Sequence, residues 1–237
     1  MLFYGCYFNH HHGPNTSTTL ILECDNIELS FDNRRILYAV YLKAETGKIT
    51  GILGRNGCGK TSLLSILFGS LKPKYVNIRL DGIHQKHKLY QTGRVAYLPQ
   101  HQLLSSTIKL HKAFDLFNVS WSYFITVFPS FNIYENIKVE ALSSGELRLV
   151  ETYLILNSKK KIILLDEPFS FIAPVYVEKI KKLIQMKKKE SAIVITDHFY
   201  RDILEIGDSI YMLKDGYSKP IKTQRDLENE GYISVET

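Results

Sequence analysis

Cysteine and tryptophan are scarce: the chain of 237 residues holds three of the first and one of the second. Cys6, Cys24 and Cys58 show no paired spacing of the kind that holds zinc, and they are too few to staple a small secreted fold. A zinc module and a disulfide framework are therefore excluded, and a reducing cytoplasm is the expected setting. Long apolar runs are missing as well. The longest are strand-sized pieces such as residues 162–165, far short of the roughly 20 residues needed to cross a bilayer, so any work at a membrane has to pass through a partner. Internal repeats are absent, which removes solenoids and propellers. Residues 1–19 lack a signal-peptide layout. They mix aromatics with His10, His11 and His12 and a polar run, and read as a flexible extension, with a metal site on the histidines as the other reading.

Nor is there a strong excess of one charge. Lys and Arg number 30 against 24 Asp and Glu, a formal +6, which permits an anionic partner without demanding one. Lysines gather at 159–161, at 179, 181 and 182, and at 187–189. A solvated helix face and its flanking turns account for them; a nucleic-acid or acidic-lipid patch is the other reading. No nucleic-acid partner is expected. The length suits one well-buried α/β domain over residues 20–237.

What the chain does have is Gly54-Arg55-Asn56-Gly57-Cys58-Gly59-Lys60-Thr61, a G-x-x-x-x-G-K-[ST] pattern. It lies between a strand-like run, 48–53, and an apolar helix-like run that continues from Ser62. A triphosphate needs many donors at once, and the glycines let the backbone curl so that successive N–H groups face inward. Lys60 would reach the β and γ phosphates and Thr61 would place its hydroxyl on Mg²⁺. The helix opening at Lys60 adds its positive end. The pattern predicts a bound nucleoside triphosphate.

Around this loop the chain alternates. Extended segments are expected at 20–31 and 36–43, then at 75–80, closed by an Asp81-Gly82 turn, and at 94–98. Residues 101–141 change character, rich in Phe, Tyr and Leu and mainly helical in pattern, and read as an insertion between two core strands. A helix over 144–156, a strand over 161–165, a helix from Pro174, a strand over 192–196, a short helix and a final strand over 209–213 complete the reading. The alternation predicts a P-loop α/β fold: a mostly parallel core sheet covered on both faces, with a small antiparallel β region and a short helical subdomain.

The second chemical element is the apolar strand that runs into Asp166-Glu167-Pro168. A buried strand ending in two carboxylates brings one acid to the metal and the next to the attacking water. Asp166 would hold Mg²⁺, and Glu167 would orient or deprotonate the water that attacks the γ-phosphate.

Four further pieces fall into order with these: Leu142-Ser143-Ser144-Gly145-Glu146 one helix before the acidic strand, Tyr97-Leu98-Pro99-Gln100, Thr196-Asp197-His198, and Phe31 in the small β region. Together the motifs resemble the ATP-binding cassette family, the ATPase subunits of ABC transporters, from about Leu22 to Lys219. The resemblance implies that Phe31 stacks on adenine, that Gln100 joins the metal site to the helical subdomain, and that His198 contacts the γ-phosphate. It also implies that Ser143 and Gly145 bind the γ-phosphate of ATP held by a second subunit. The active unit would then be a two-fold dimer, expected to be a homodimer, closed on two ATP molecules. A separate membrane permease would dock on the helical subdomain, leaving the subunit peripheral at the inner face of the cell membrane. Aromatics of the insertion (Phe114, Phe117, Trp121, Tyr123, Phe124, Phe128, Phe131 and Tyr134) form either that subdomain's own core or, in part, a groove for the permease.

The departures from the family pattern bear on rate. Ala173 stands where the family places an aspartate that crosses the dimer interface, and Ser144 where glycine is usual. Hydrolysis is expected to persist but slowly, since one lost polar contact costs about 10²–10³ in rate. The same departures encourage an alternative, a soluble ATP-dependent regulator outside transport. A finer resemblance, in Gly145-Glu146-Leu147-Arg148-Leu149-Val150-Glu151 and Thr196-Asp197-His198, is to the lipopolysaccharide-export subgroup.

Overall fold

A computed structural model describes residues 19–32 and 34–233. The N-terminal extension read at 1–19, with its three histidines and Cys6, lies apart from Thr19 outside the described residues. In chain order the elements are β1 (Ile21–Phe31), β2 (Arg34–Glu45), β3 (Ile49–Leu53), α1 (Lys60–Phe68), β4 (Tyr75–Leu80), β5 (Ile83–His84), β6 (Val95–Leu98), α2 (Leu110–Phe117) and α3 (Trp121–Val127). They continue with α4 (Ser144–Leu156), β7 (Ile162–Asp166), α5 (Pro174–Lys187), β8 (Ala192–Thr196), α6 (Tyr200–Ile206), β9 (Ser209–Lys214), β10 (Tyr217–Ile221) and α7 (Gln224–Asn229). Short 3₁₀ turns fill Leu89–Thr92, Pro129–Tyr134 and Val139–Ala141.

Two sheets result. An antiparallel one runs β2-β1-β4-β5, and the core sheet runs β10-β9-β3-β8-β7-β6, parallel except for β10. The β4–β5 turn takes positive φ at both Asp81 (52°) and Gly82 (78°), the twist that a two-residue hairpin prefers. Strands β3, β7 and β8 are buried along their whole length, as parallel strands covered on both faces must be.

Period-2 alternation divides these strands between two cores. Ile49, Ile163, Leu165, Ile193 and Ile195 pack with α4, α5, α6 and the helical insertion. Ile52, Ile162, Leu164, Ala192 and Val194 pack with α1 and the antiparallel sheet. Asp166 and Thr196 continue the second series and pair across β7 and β8, so both side chains emerge on the face that carries α1. That register places the acid under the phosphate loop.

In the insertion, Phe114, Phe124, Phe128 and Phe131 are buried around Tyr153 of α4, with Phe124 and Tyr153 ring centroids 4.8 Å apart. These rings are the subdomain's own core. Tyr123 is exposed, while Phe117, Trp121 and Tyr134 pack at the margin. Two expectations need correction. The strand over 209–213 is not the last: β10 adds an antiparallel edge and α7 follows it. Lys181 does not belong to a solvated face, for it is 5% exposed and its ammonium lies 2.7 Å from Asp202 and 2.6 Å from Glu205. Burying a lysine requires such partners, and here they fasten α5 to α6.

Candidate nucleotide site

The phosphate loop owes its shape to glycine at three points, with φ 155° at Gly54, 76° at Gly57 and 107° at Gly59. Any Cβ at Gly54 would lie 2.6 Å from the Leu213 carbonyl oxygen, and one at Gly59 would lie 2.8 Å from the Leu37 side chain. Gly59 caps α1 with no side-chain hydrogen bond, so the first-turn N–H groups of Lys60, Thr61 and Ser62 stay directed at the loop. Lys60 is buried, and its ammonium donates to the carbonyls of Gly54 (2.7 Å) and Arg55 (3.3 Å). The charge thus sits under the loop itself.

Oxygen ligands converge beside it. Asp166 is fully buried and accepts hydrogen bonds from Thr196 Oγ1 (2.7 Å) and Tyr97 Oη (3.4 Å). Burial pushes its carboxyl above the ordinary range, against the hydrogen bonds from Thr196 and Thr61. Thr61 Oγ1 also lies 3.5 Å from Gln100 Oε1. A threonine hydroxyl, a carboxylate and an amide oxygen around one point form the hard donor set that suits Mg²⁺, which keeps waters for its remaining positions. A cation there would also relieve the cost of burying Asp166.

Glu167 stands one residue on, with φ 56°, so its side chain leaves the strand direction and turns into the cleft. Its Oε1 accepts from Gln100 Nε2 (2.9 Å) and lies 2.7 Å from His198 Nε2, and its Oε2 accepts from Ser170 Oγ (3.2 Å). A cavity of about 470 Å³ gathers Phe31, Ile36, Asn56, Gly57, Gly59, Lys60, Thr61, Ser62, Gln100, Glu167 and His198. Five stretches of the chain, at 31–36, 56–62, 100, 167 and 198, therefore meet at one cleft, with Phe31 half exposed at its rim. Gly54 and Cys58 lie behind the loop, on a smaller cavity of about 270 Å³, and burial raises the Cys58 thiol pKa. Ser143 and Gly145 are not in this cleft.

Comparison with known proteins accounts for this arrangement. Residues 37–170 match the ABC transporter family. The lipopolysaccharide export system ATP-binding protein LptB of Haemophilus influenzae is 31% identical over 232 residues, 90% of this chain and 95% of that protein.

The chain belongs to the ABC transporter family.

The Escherichia coli K12 protein of the same name is 28% identical over 83% of this chain and 88% of its own length. A solved structure, titled as the ATP-binding subunit of an ABC transporter, superposes with a TM-score of 0.73 at 18% identity, covering 91% of this chain and 95% of that one. The protein is an ABC transporter ATP-binding subunit, an ATPase that powers transport, and this decides against the regulator reading.

Within this ABC subunit, Ser143 and Gly145 open α4 at a separate position, Ser143 exposed and Gly145 half-buried. Ser143 and Glu146 form a reciprocal capping box, with Ser143 Oγ accepting from the Glu146 amide. Gly145 has a local reason besides any ligand: a Cβ there would collide with the Phe171 carbonyl oxygen. Ala173, at the start of α5, is exposed and offers no cap.

Sequence reasoning gave no role to Arg148 and Glu151, yet they join the site's parts. Arg148 donates to the carbonyls of Pro99 (2.7 Å), Asp166 and Glu167 (3.1 Å), while Glu151 accepts from the amides of Leu103 (2.7 Å) and Leu104 (2.9 Å). They lie 3.7 Å apart, one helical turn along α4. Asp197 likewise accepts from the amides of Phe169 and Phe199, holding the segments that bear Glu167 and His198 together. The available signal was a charged pair three apart on a helix otherwise apolar at Leu149, Val150, Tyr153 and Leu154.

Proposed function

We propose that the subunit hydrolyses MgATP at the cleft between the phosphate loop and the ends of β7 and β8. Lys60 and the loop amides would hold the phosphates, with Gly54, Asn56, Gly57, Cys58, Gly59 and Ser62 shaping or extending the cradle, and Phe31 would face the adenine. Thr61, Asp166 and Gln100 would hold Mg²⁺, whose charge offsets that developing on the γ-phosphate. Glu167 orients the attacking water and takes its proton, while His198 and Gln100 hold that carboxylate in place from either side. The observation that carries the reading is the convergence of Gln100, Glu167 and His198 with the phosphate loop on one cavity.

Ser143, exposed at the start of α4, and the half-buried Gly145 beside it lie outside their own chain's cleft and would serve the nucleotide of a second copy across a two-fold dimer. Similarity to LptB over nearly the full chain supports lipopolysaccharide export as the process served. A membrane permease would dock on the helical subdomain, placing the subunit at the cytoplasmic face of the membrane.

The test is Glu167→Gln. Turnover should fall by about 10²–10⁴, while ATP binding persists and the dimer accumulates on size-exclusion chromatography with MgATP. Undiminished turnover would remove Glu167 from the base role. Purified from native membranes with MgATP, the variant should retain a multi-spanning protein; a soluble partner alone would overturn the permease assignment.

A further inference from the structure

The helix that follows His198 is one its own sequence barely sustains. α6 spans seven residues, opens at Phe199 without a side-chain cap among the described residues, and buries Ile203 and Ile206; isolated helices shorter than roughly 12 residues are marginal in water. It is held from α5. Lys181 and Gln185 stand one turn apart on one face of that helix. The Lys181 ammonium lies 2.7 Å from the Asp202 carboxylate and donates to Glu205 at 2.6 Å and to Glu178, on its own helix, at 2.9 Å. Gln185 Nε2 donates to the Ile206 carbonyl at 3.1 Å, at the end of α6. α5 is in turn fixed by the buried Ile180 and Ile184 and by the helical insertion, where Lys179 donates to the Val127 carbonyl (2.8 Å) and the Tyr176 hydroxyl meets Ser130 Oγ (2.7 Å).

The first turn of α6 carries His198 with it. The His198 carbonyl accepts from the Tyr200 amide, and the Phe199 carbonyl from the Asp202 amide, each at 3.0 Å. Asp202 is therefore tied by main chain to the residue after His198 and by side chain to Lys181. At the other end of this path, His198 Nε2 lies 2.7 Å from Glu167 Oε1. On the reading that His198 and Glu167 serve hydrolysis, we infer that Lys181 is a positioning residue for the reaction: it sets α6, and α6 sets the imidazole against the Glu167 carboxylate. Lys181 itself touches no substrate. Without the ammonium, three carboxylates whose oxygens lie within 4.8 Å of one another are left to repel. The Glu178 and Glu205 side chains are each 60% exposed and can turn to water, so the fold survives while the tie to α6 is lost. The phosphate loop and α1 take no part in this path, which assigns the effect to turnover and not to nucleotide binding.

The experiment uses the full chain, with folding checked by thermal melts. In Lys181→Met, which keeps an apolar stem in the buried position, kcat should fall about 10- to 100-fold, within what a displacement of about 1 Å costs. KM for ATP, and affinity read by displacement of a fluorescent ATP analogue, should stay within about twofold, the pattern of an interaction lost only in the transition state. In a His198→Ala background the same change should add less than about twofold, because the two residues act as one unit. Lys182→Met, one residue on and exposed, should leave turnover as it was. Unchanged kcat in a folded Lys181→Met protein would overturn the inference, and so would a rise in KM alone, an equal loss in Lys182→Met, or full additivity with His198→Ala. His198→Ala by itself separates this from the underlying reading: if that variant kept full turnover, His198 would have no part in hydrolysis, and the reading would fail and take the inference with it. Should Lys181→Met fail to fold, Asp202→Asn, which removes one acid and leaves the lysine paired, decides by the same split and the same cycle.

Discussion

Two buried regions of the molecule treat polar atoms in opposite ways. Beneath the nucleotide cleft, Arg148 spends its guanidinium nitrogens on three carbonyls from two distant segments, and Glu151, Asp166 and Asp197 each accept two hydrogen bonds. In the core of the helical insertion, Trp121 Nε1 and the hydroxyl of Tyr153, which α4 contributes to that core, are buried with no hydrogen-bond partner. Every buried group left unpaired costs about 1–3 kcal/mol. The first region accepts the cost of burying charge and satisfies each group, which leaves one geometry allowed. The second is centred on a cluster of aromatic rings and tolerates two idle polar atoms. Position is specified where chemistry needs it, and only volume is specified where the insertion merely has to be filled.

The contrast can be broken first at Arg148. Arg148→Met leaves Glu151 buried without its charge partner and frees three carbonyls, so urea unfolding of the nucleotide-free subunit should show a loss of about 3–5 kcal/mol. A change under about 1 kcal/mol would mean that the network adds little beyond packing. Tyr153→Phe should do the reverse, raising stability by about 1 kcal/mol because an idle hydroxyl is deleted from a site whose shape is kept; a clear loss would reveal a partner for that hydroxyl. The smallest effect is a slope. Burial holds the Glu151 carboxyl above its ordinary 4.5, outweighing the pull of the Leu103 and Leu104 amides and of Arg148. The folded state therefore keeps this proton where the unfolded chain has lost it, and stability falls as pH rises from about 4.5 through the raised value. Glu151→Gln should flatten that part of the curve in thermal melts, and parallel curves would exclude the contribution.

Much of the cleft was legible because its signals are local. The glycines of 54–59 and the acidic end of β7 each carry their meaning within a few residues, and strand alternation then fixes the face on which Asp166 emerges. Arg148 was opaque for the opposite reason: its three acceptors are backbone atoms of segments 49 and 18–19 positions away, and no side-chain pattern announces a carbonyl. Lys181 looked like one more surface lysine because its acids, Asp202 and Glu205, come from another helix. β10 escaped notice because Pro220 interrupts its pattern, and its place at the sheet edge is what makes a proline tolerable there. The aromatic insertion was ambiguous by nature, since ring-rich helical patterns serve a core and a docking groove alike.

The contact of Gly145 with the Phe171 carbonyl has a mechanical side. It joins the tip of α4 to the stretch between Glu167 and α5 through main chain alone. A side chain at such a joint could swing to another rotamer and absorb play; bare backbone offers no such slack. A tilt of α4 is thus handed on to residues 170–173, and through Ser170 Oγ to the Glu167 carboxylate, as in a linkage without backlash.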